Sequence, residues 1–225
     1  MRGKLGIVLI FSIYLISGCT KVEKDALPLK FEDVSKIIIN ELQSNSIKEV
    51  ILERQIDEDT RVFLYRHQEG EHINGGISVN NNYYDFGEVS MDGTPEELLR
   101  IEEIQVLGKK AVKIKGILGG NYAQSFYWFF EEELQNSLIQ VDGNATEVDL
   151  DNDGKSEIIA SWGTIPETRI YKLEQEEIVV SDINKSIGAQ AVLMIDNKNL
   201  FEVYFEPNQP EQYEYYKDSF KKSNH

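Results

Sequence analysis

Between residues 31 and 42 the apolar side chains return at steps of three and four: Phe31, Val34, Ile37, Ile38 and Leu42. Such steps place them on one face of an α-helix, and Glu32 and Asp33 then fall in its first turn, where the positive end of the helix dipole favours acids. The pattern predicts one amphipathic helix over 31–44, ending at Ser44-Asn45-Ser46. Beyond it the period drops to two, as in Thr60-Arg61-Val62-Phe63-Leu64-Tyr65, Val112-Lys113-Ile114-Lys115 and Phe201-Glu202-Val203-Tyr204-Phe205. Alternation of this kind makes half-buried strands. Turn signals punctuate the chain at short intervals, among them Asn80-Asn81-Asn82, Asp92-Gly93, Gly119-Gly120-Asn121, Asp142-Gly143-Asn144 and Asp153-Gly154. About a dozen short strands follow, so the expected fold is mainly antiparallel β with one N-terminal helix.

Two aromatic runs depart from simple alternation. Phe126-Tyr127-Trp128-Phe129-Phe130 is apolar on both faces, the signature of a central strand covered on both sides. Tyr213-Glu214-Tyr215-Tyr216, mixed with acids, reads as a sheet edge protected by charge. No Pro/Gly-rich linker interrupts the chain after residue 30, and the softest internal boundary lies near Gly116 to Gly120. One β-rich domain over 31–225 is therefore expected.

Charge and cysteine usage narrow the function. The 225 residues carry 39 acidic and 23 basic side chains, a net charge of −16, which argues against binding nucleic acid. A single cysteine excludes an internal disulfide and a cysteine-rich metal site. That cysteine ends a distinctive leader. Met-Arg-Gly-Lys is followed by the apolar run Leu5 to Ile16 and then by Ser17-Gly18-Cys19, a basic head, hydrophobic stretch and small residues as in a secretory signal. The apolar run is too short for a transmembrane helix, which needs about 20 residues. Ile16-Ser17-Gly18-Cys19 resembles the lipobox of bacterial lipoproteins. The resemblance implies cleavage before Cys19 and a diacylglycerol thioether on its sulfur, on the extracytoplasmic face of the cell membrane. Losing residues 1–18 takes Arg2 and Lys4 from the 23 bases, leaving 21 against 39 acids and a net charge of −18. Such a chain is repelled by anionic lipid, so the membrane would hold it through the lipid alone. Residues 19–30, polar and unpatterned, read as a tether.

One internal segment calls for a cation. In Asp149-Leu150-Asp151-Asn152-Asp153-Gly154-Lys155-Ser156-Glu157, carboxylates alternate along the chain and would repel one another without a positive centre. Calcium takes six to eight oxygens, and ligands at positions 1, 3 and 5, a glycine at 6 and a backbone carbonyl at 7 wrap it. Here those are Asp149, Asp151, Asp153, Gly154 and the carbonyl of Lys155. Position 12, the bidentate acid of helix–loop–helix sites, is Ala160. The acid at position 9, Glu157, and the strand-like flanks resemble instead the loop of FG-GAP and VCBS repeats, over about residues 145–175. The resemblance implies a calcium ion held by Asp149, Asp151, Asp153, Lys155 and Glu157. It also leaves open an incomplete propeller-like arrangement beside a sandwich.

Other chemistry is sparse. His67 and His72 share one short turn with Glu69 and Glu71, a spacing that matches no standard zinc pattern, and a solvated hairpin accounts for it. Gly-x-Ser-x-Gly and His-Glu-x-x-His are both missing from the sequence. The reading is a lipid-anchored envelope protein that binds or scaffolds without catalysis, its partner an envelope protein or polysaccharide. The alternative is an envelope polysaccharide hydrolase using paired carboxylates.

Overall fold

The computed structural model describes residues 26–119, 122–134, 137–195 and 199–223. These residues are mainly β, with nineteen strands arranged in four antiparallel sheets. Sheet I is the meander β4 (Ile47–Gln55), β5 (Thr60–His67), β6 (His72–Val79) and β7 (Asn82–Met91). Sheet II follows as β8 (Arg100–Val106), β9 (Lys109–Ile117), β10 (Ala123–Trp128) and β11 (Leu138–Asp142). Sheet III contains β12 (Asn144–Val148), β13 (Glu157–Trp162), β14 (Glu167–Glu174) and β15 (Glu177–Asp182). After one short helix, α1 (Ile183–Ile187), sheet IV completes the series with β16 (Ala191–Met194), β17 (Leu200–Glu206), β18 (Gln209–Tyr215) and β19 (Ser219–Lys222).

Three cores alternate with the sheets. Val62, Leu64, Ile73 and Ile77 of sheet I meet Val112, Ile114, Phe126 and Trp128 of sheet II. Tyr127, Phe129 and Val141 on the other side of sheet II meet Ile158, Ala160 and Tyr171 of sheet III. Ile159 and Ile170 of sheet III meet Val192, Phe201, Val203 and Phe220 of sheet IV. The sheets are thus stacked in chain order, and β10 is the covered central strand its composition announces, every residue buried. No core joins sheet IV back to sheet I among the described residues, and no ring closes, so the propeller-like alternative is not confirmed.

Cross-sheet hydrogen bonds fix the polarity of the stack. At one end, here the upper, the Leu107 amide of sheet II donates to the Ser156 carbonyl of sheet III at 2.8 Å. At the lower end the Ser90 hydroxyl of sheet I donates to Ile117 O of sheet II at 2.8 Å, and the Val192 amide of sheet IV to Pro166 O of sheet III at 3.0 Å. Each sheet has one two-residue hairpin at the upper end with both residues at positive φ: Asn80-Asn81, Leu107-Gly108, Gln175-Glu176 and Lys217-Asp218. Such turns match the right-handed twist of the strands they join. Sheets I and II approach closely at the lower end, where a side chain on Gly116 would collide with the Val89 carbonyl.

The N-terminal segment is not a helix. Residues 26–42 run extended across the last strand of every sheet in reverse order. Strand β1 (Ala26–Pro28) pairs with β19, β2 (Glu32–Asp33) with β15, Lys36 bridges to Ile139 of β11, and β3 (Asn40–Leu42) pairs with β7. Leu29 and Phe31 enter the core between sheets III and IV, Val34 that between II and III, Ile37 and Ile39 that between I and II. Packed sheets lie about 10 Å apart, the span of about three extended residues at roughly 3.3 Å each. Apolar residues thus recur at the gaps between sheets, and this spacing imitates one face of a helix. Ile38, assigned to that face, is 76% exposed. The folded body also starts earlier than residue 31, because Ala26–Pro28 are sheet-paired and Leu29 is buried.

Two smaller expectations also change. Val62–Tyr65 are buried on both faces, not alternately: Phe63 and Tyr65 pack against each other at 5.6 Å on the outer side of sheet I, and the Tyr65 hydroxyl donates to Asp85 at 2.9 Å. Tyr213 and Tyr215 do not lie on an edge, since β18 sits between β17 and β19 and both face the core, while Tyr216 just beyond β18 is exposed. The boundary suggested near 116–120 falls between β9 and β10, which pair within one sheet.

Candidate metal centre

Strands β12 and β13 pair from Asn144↔Ser161 to Val148↔Glu157, which makes residues 149–156 the loop at the upper end of a hairpin. The loop is folded by its own acids. Both carboxylate oxygens of Asp149 accept backbone amides, from Asp153 at 3.1 Å and Gly154 at 2.9 Å. Asp151 accepts the Asp153 amide at 3.1 Å, and Asp153 accepts that of Lys155 at 2.8 Å. These are the local side-chain-to-backbone bonds that Asp makes more readily than longer acids. Asn152 and Gly154 supply the two left-handed residues the tight winding needs, at φ 61° and 87°. Leu150 points the other way, fully buried in the core between sheets III and IV, and pins the loop to the body.

The winding brings carboxylate oxygens of Asp149, Asp151 and Asp153 within 4.8 Å of one another. Two oxygens on opposite sides of a calcium ion, each about 2.4 Å from it, lie about 4.8 Å apart, so the trio has the dimensions of one coordination sphere. Among the described residues no Lys or Arg forms an ion pair with any of the three, or with Glu157. The Lys155 stem lies against Gly108, its Cδ 3.0 Å from where a Cβ on that glycine would stand, and Lys155 also lines the hollow beside the loop.

Glu157 is not part of that trio. It sits at the root of the loop, 8% exposed, and accepts the Leu150 amide at 2.8 Å. Burial, with the nearby charges of Asp151 and Asp153 adding to it, pushes its carboxyl up to about 7. A buried acid without a cationic partner costs several kcal/mol when ionised, and a divalent ion over the loop would relieve that cost. The donor set of converging hard oxygens is therefore of the kind calcium takes.

Beside the loop lies a hollow of about 300 Å³ walled by Asp151, Asp153, Glu157, Lys172, Tyr215 and Asp218. Lys172 reaches Asp218 at 2.7 Å and covers the Phe31 ring at 4.3 Å, while the Tyr215 hydroxyl donates to Asp218 at 2.8 Å. Burial first, and then Asp218, raise the Tyr215 hydroxyl far above its usual range. Sequence reading missed this group, because its members come from the extended N-terminal strap of residues 26–42, sheet III and sheet IV. The two histidines have separate local partners: His67 Nδ1 accepts the Glu69 amide at 3.3 Å, and His72 Nδ1 lies 3.3 Å from Glu88 on the neighbouring strand β7. Cys19 lies outside the described residues.

No protein-family model, curated protein or solved structure matches the chain.

Proposed function

We propose that this chain is a bacterial lipoprotein, anchored on the extracytoplasmic face of the cell membrane through lipid on Cys19. Its β body would act as a non-enzymatic binding or scaffolding module that carries one structural calcium ion. The observation that carries the calcium reading is the convergence of three unpaired carboxylates above a buried, unpaired Glu157. In this reading Asp149, Asp151 and Asp153 offer side-chain oxygens, Lys155 a carbonyl, and Glu157 a carboxylate at the base. The ion supplies positive charge that lets the loop keep its tight winding. The likeness to FG-GAP and VCBS loops belongs to the same proposal, and the loop's position between two strands supports it. Glu157, the acid whose proton affinity lies near neutrality, is turned inward to the Leu150 amide, which suits holding a loop better than protonating a glycosidic oxygen.

Thermal melting of the purified protein in EGTA and then in excess calcium tests the ion. The midpoint should rise with calcium in the native chain and stay fixed in Asp151→Ala; equal shifts in both would refute the site. Metabolic labelling with palmitate tests the anchor, and Cys19→Ser should lose both the label and the membrane fraction.

A further inference from the structure

Both ends of the stack carry acids, with Glu69, Glu71, Asp92, Glu96 and Glu97 at the lower end beside sheet I, but the ends differ where sheets II to IV meet. Hairpins and loops at the upper end carry Asp57-Glu58-Asp59, Glu131-Glu132-Glu133, the calcium loop and the Glu176-Glu177 turn. At the lower end sheets II, III and IV enclose a hollow of about 460 Å³ walled by Ile117, Tyr122, Asn144, Trp162, Pro166 and Leu193, with no charged residue in its wall. The Arg169 guanidinium closes one face of the Trp162 ring at 4.5 Å. Next to the hollow, in the β13–β14 turn, Ile165 is 67% exposed. Tyr122, Met91 at the end of β7 and Leu98 in the connection from sheet I to sheet II are exposed at this end too, so four of the seven large apolar side chains exposed among the described residues gather there.

The strap points to the same end. Strand β1 runs upward, antiparallel to β19, so the described chain begins at the lower side of that strand. Ala26 is level with Lys221 and Glu214, five residues of β18 above Gln209, or about 17 Å from the lower end. Cys19 precedes Ala26 by seven residues, a reach of at most about 24 Å. A lipid on that sulfur has the length to reach the lower plane with little slack.

We propose that the lower end is a membrane-seating face: Ile165, Tyr122 and the rim of the uncharged hollow rest in the bilayer interface, and the acidic upper end with its calcium loop is directed away. Tyr and Trp favour that interface because one part of each ring system is apolar and the other wet. The uncharged wall of the hollow lowers, beneath sheets II to IV, the repulsion that an acidic chain otherwise meets at lipid. This inference rests on the lipid anchor at Cys19.

Full-length lipidated protein carrying Ile165→Cys or Glu58→Cys, each labelled with a polarity-sensitive fluorophore, is reconstituted into phosphatidylcholine vesicles bearing a spin label near the headgroup. The dye at 165 should shift to the blue and lose emission to the spin label, and the dye at 58 should do neither. A protein that floats with the vesicles while both dyes respond alike overturns the seating and leaves the anchor standing. A protein that neither floats nor carries the diacyl mass overturns the anchor and the seating with it.

Discussion

Replacing Glu157 by Gln should change stability in opposite directions with and without calcium. The amide keeps the shape of the side chain and can still accept the Leu150 amide bond at the loop's root. It removes the charge, which in the cation-free protein is the unfavourable part. The folded carboxyl titrates at about 7 against an ordinary 4.5, and each pH unit of such a shift is worth about 1.4 kcal/mol. Because the folded state holds this proton more tightly, the group's contribution is fully present below pH ~4.5 and is lost as pH rises through about 7. At pH 7.5 in EGTA the native chain should therefore be ~3 kcal/mol less stable than at pH 4 on account of this residue alone. Glu157→Gln should recover most of that, which for a chain of this size is a rise in melting midpoint of about 6 to 12 °C. At pH 4 the two proteins should melt together. With saturating calcium the order should reverse, since in the proposed site the carboxylate would serve as a ligand and the amide would be a poorer one. Calorimetric or fluorescence melts at both pH values, with EGTA and with calcium, decide the matter. A variant less stable than the native chain in EGTA at pH 7.5, or a calcium shift of equal size in both proteins, would refute the reasoning.

Three further outcomes follow from the stack. Gly116→Ala pushes a methyl group into the Val89 carbonyl between sheets I and II and should cost about 2 to 3 kcal/mol in a urea titration; a neutral result would mean the sheets can slide apart. Leu29→Ala and Ile39→Ala open cavities where the strap enters the outer two cores and should each cost about 2 to 4 kcal/mol, whereas Ile38→Ala, on the exposed side, should stay within about 0.5 kcal/mol of native. Changing Gln175-Glu176 to Asn-Gly should stabilise by about 1 kcal/mol by supplying residues that accept the left-handed conformation now forced on both.

The strands were legible where one face is wet and the other dry, as in β9 and β17, and the both-sided burial of β10 was legible in its unbroken aromatic run. The strap was not, because crossing sheet gaps and winding a helix both return an apolar residue every third or fourth position. The fourfold repetition of meanders was hidden as well: the corresponding turns read Asn-Asn, Leu-Gly, Gln-Glu and Lys-Asp, and only the backbone makes them equivalent. The acidic loop declared itself because its carboxylates are local in sequence. The inward turn of Glu157, the Lys172–Asp218–Tyr215 group and the uncharged lower hollow depend on residues far apart in the chain, and no spacing announces them.

The reversed path of the strap has a consequence for how the molecule is assembled. Each meander is made of neighbouring hairpins and can form as soon as its own residues are available, a kinetically undemanding topology. The strap, in contrast, joins residue 26 to 221, 33 to 179, 36 to 139 and 40 to 85. The segment synthesised before the sheets thus waits for its farthest partner until β19 has emerged. Folding should consequently show two stages, a rapid gathering of separate hairpin sheets and a slower lacing step. Until the second is complete, the flanks of the three cores stay open to water and to other chains.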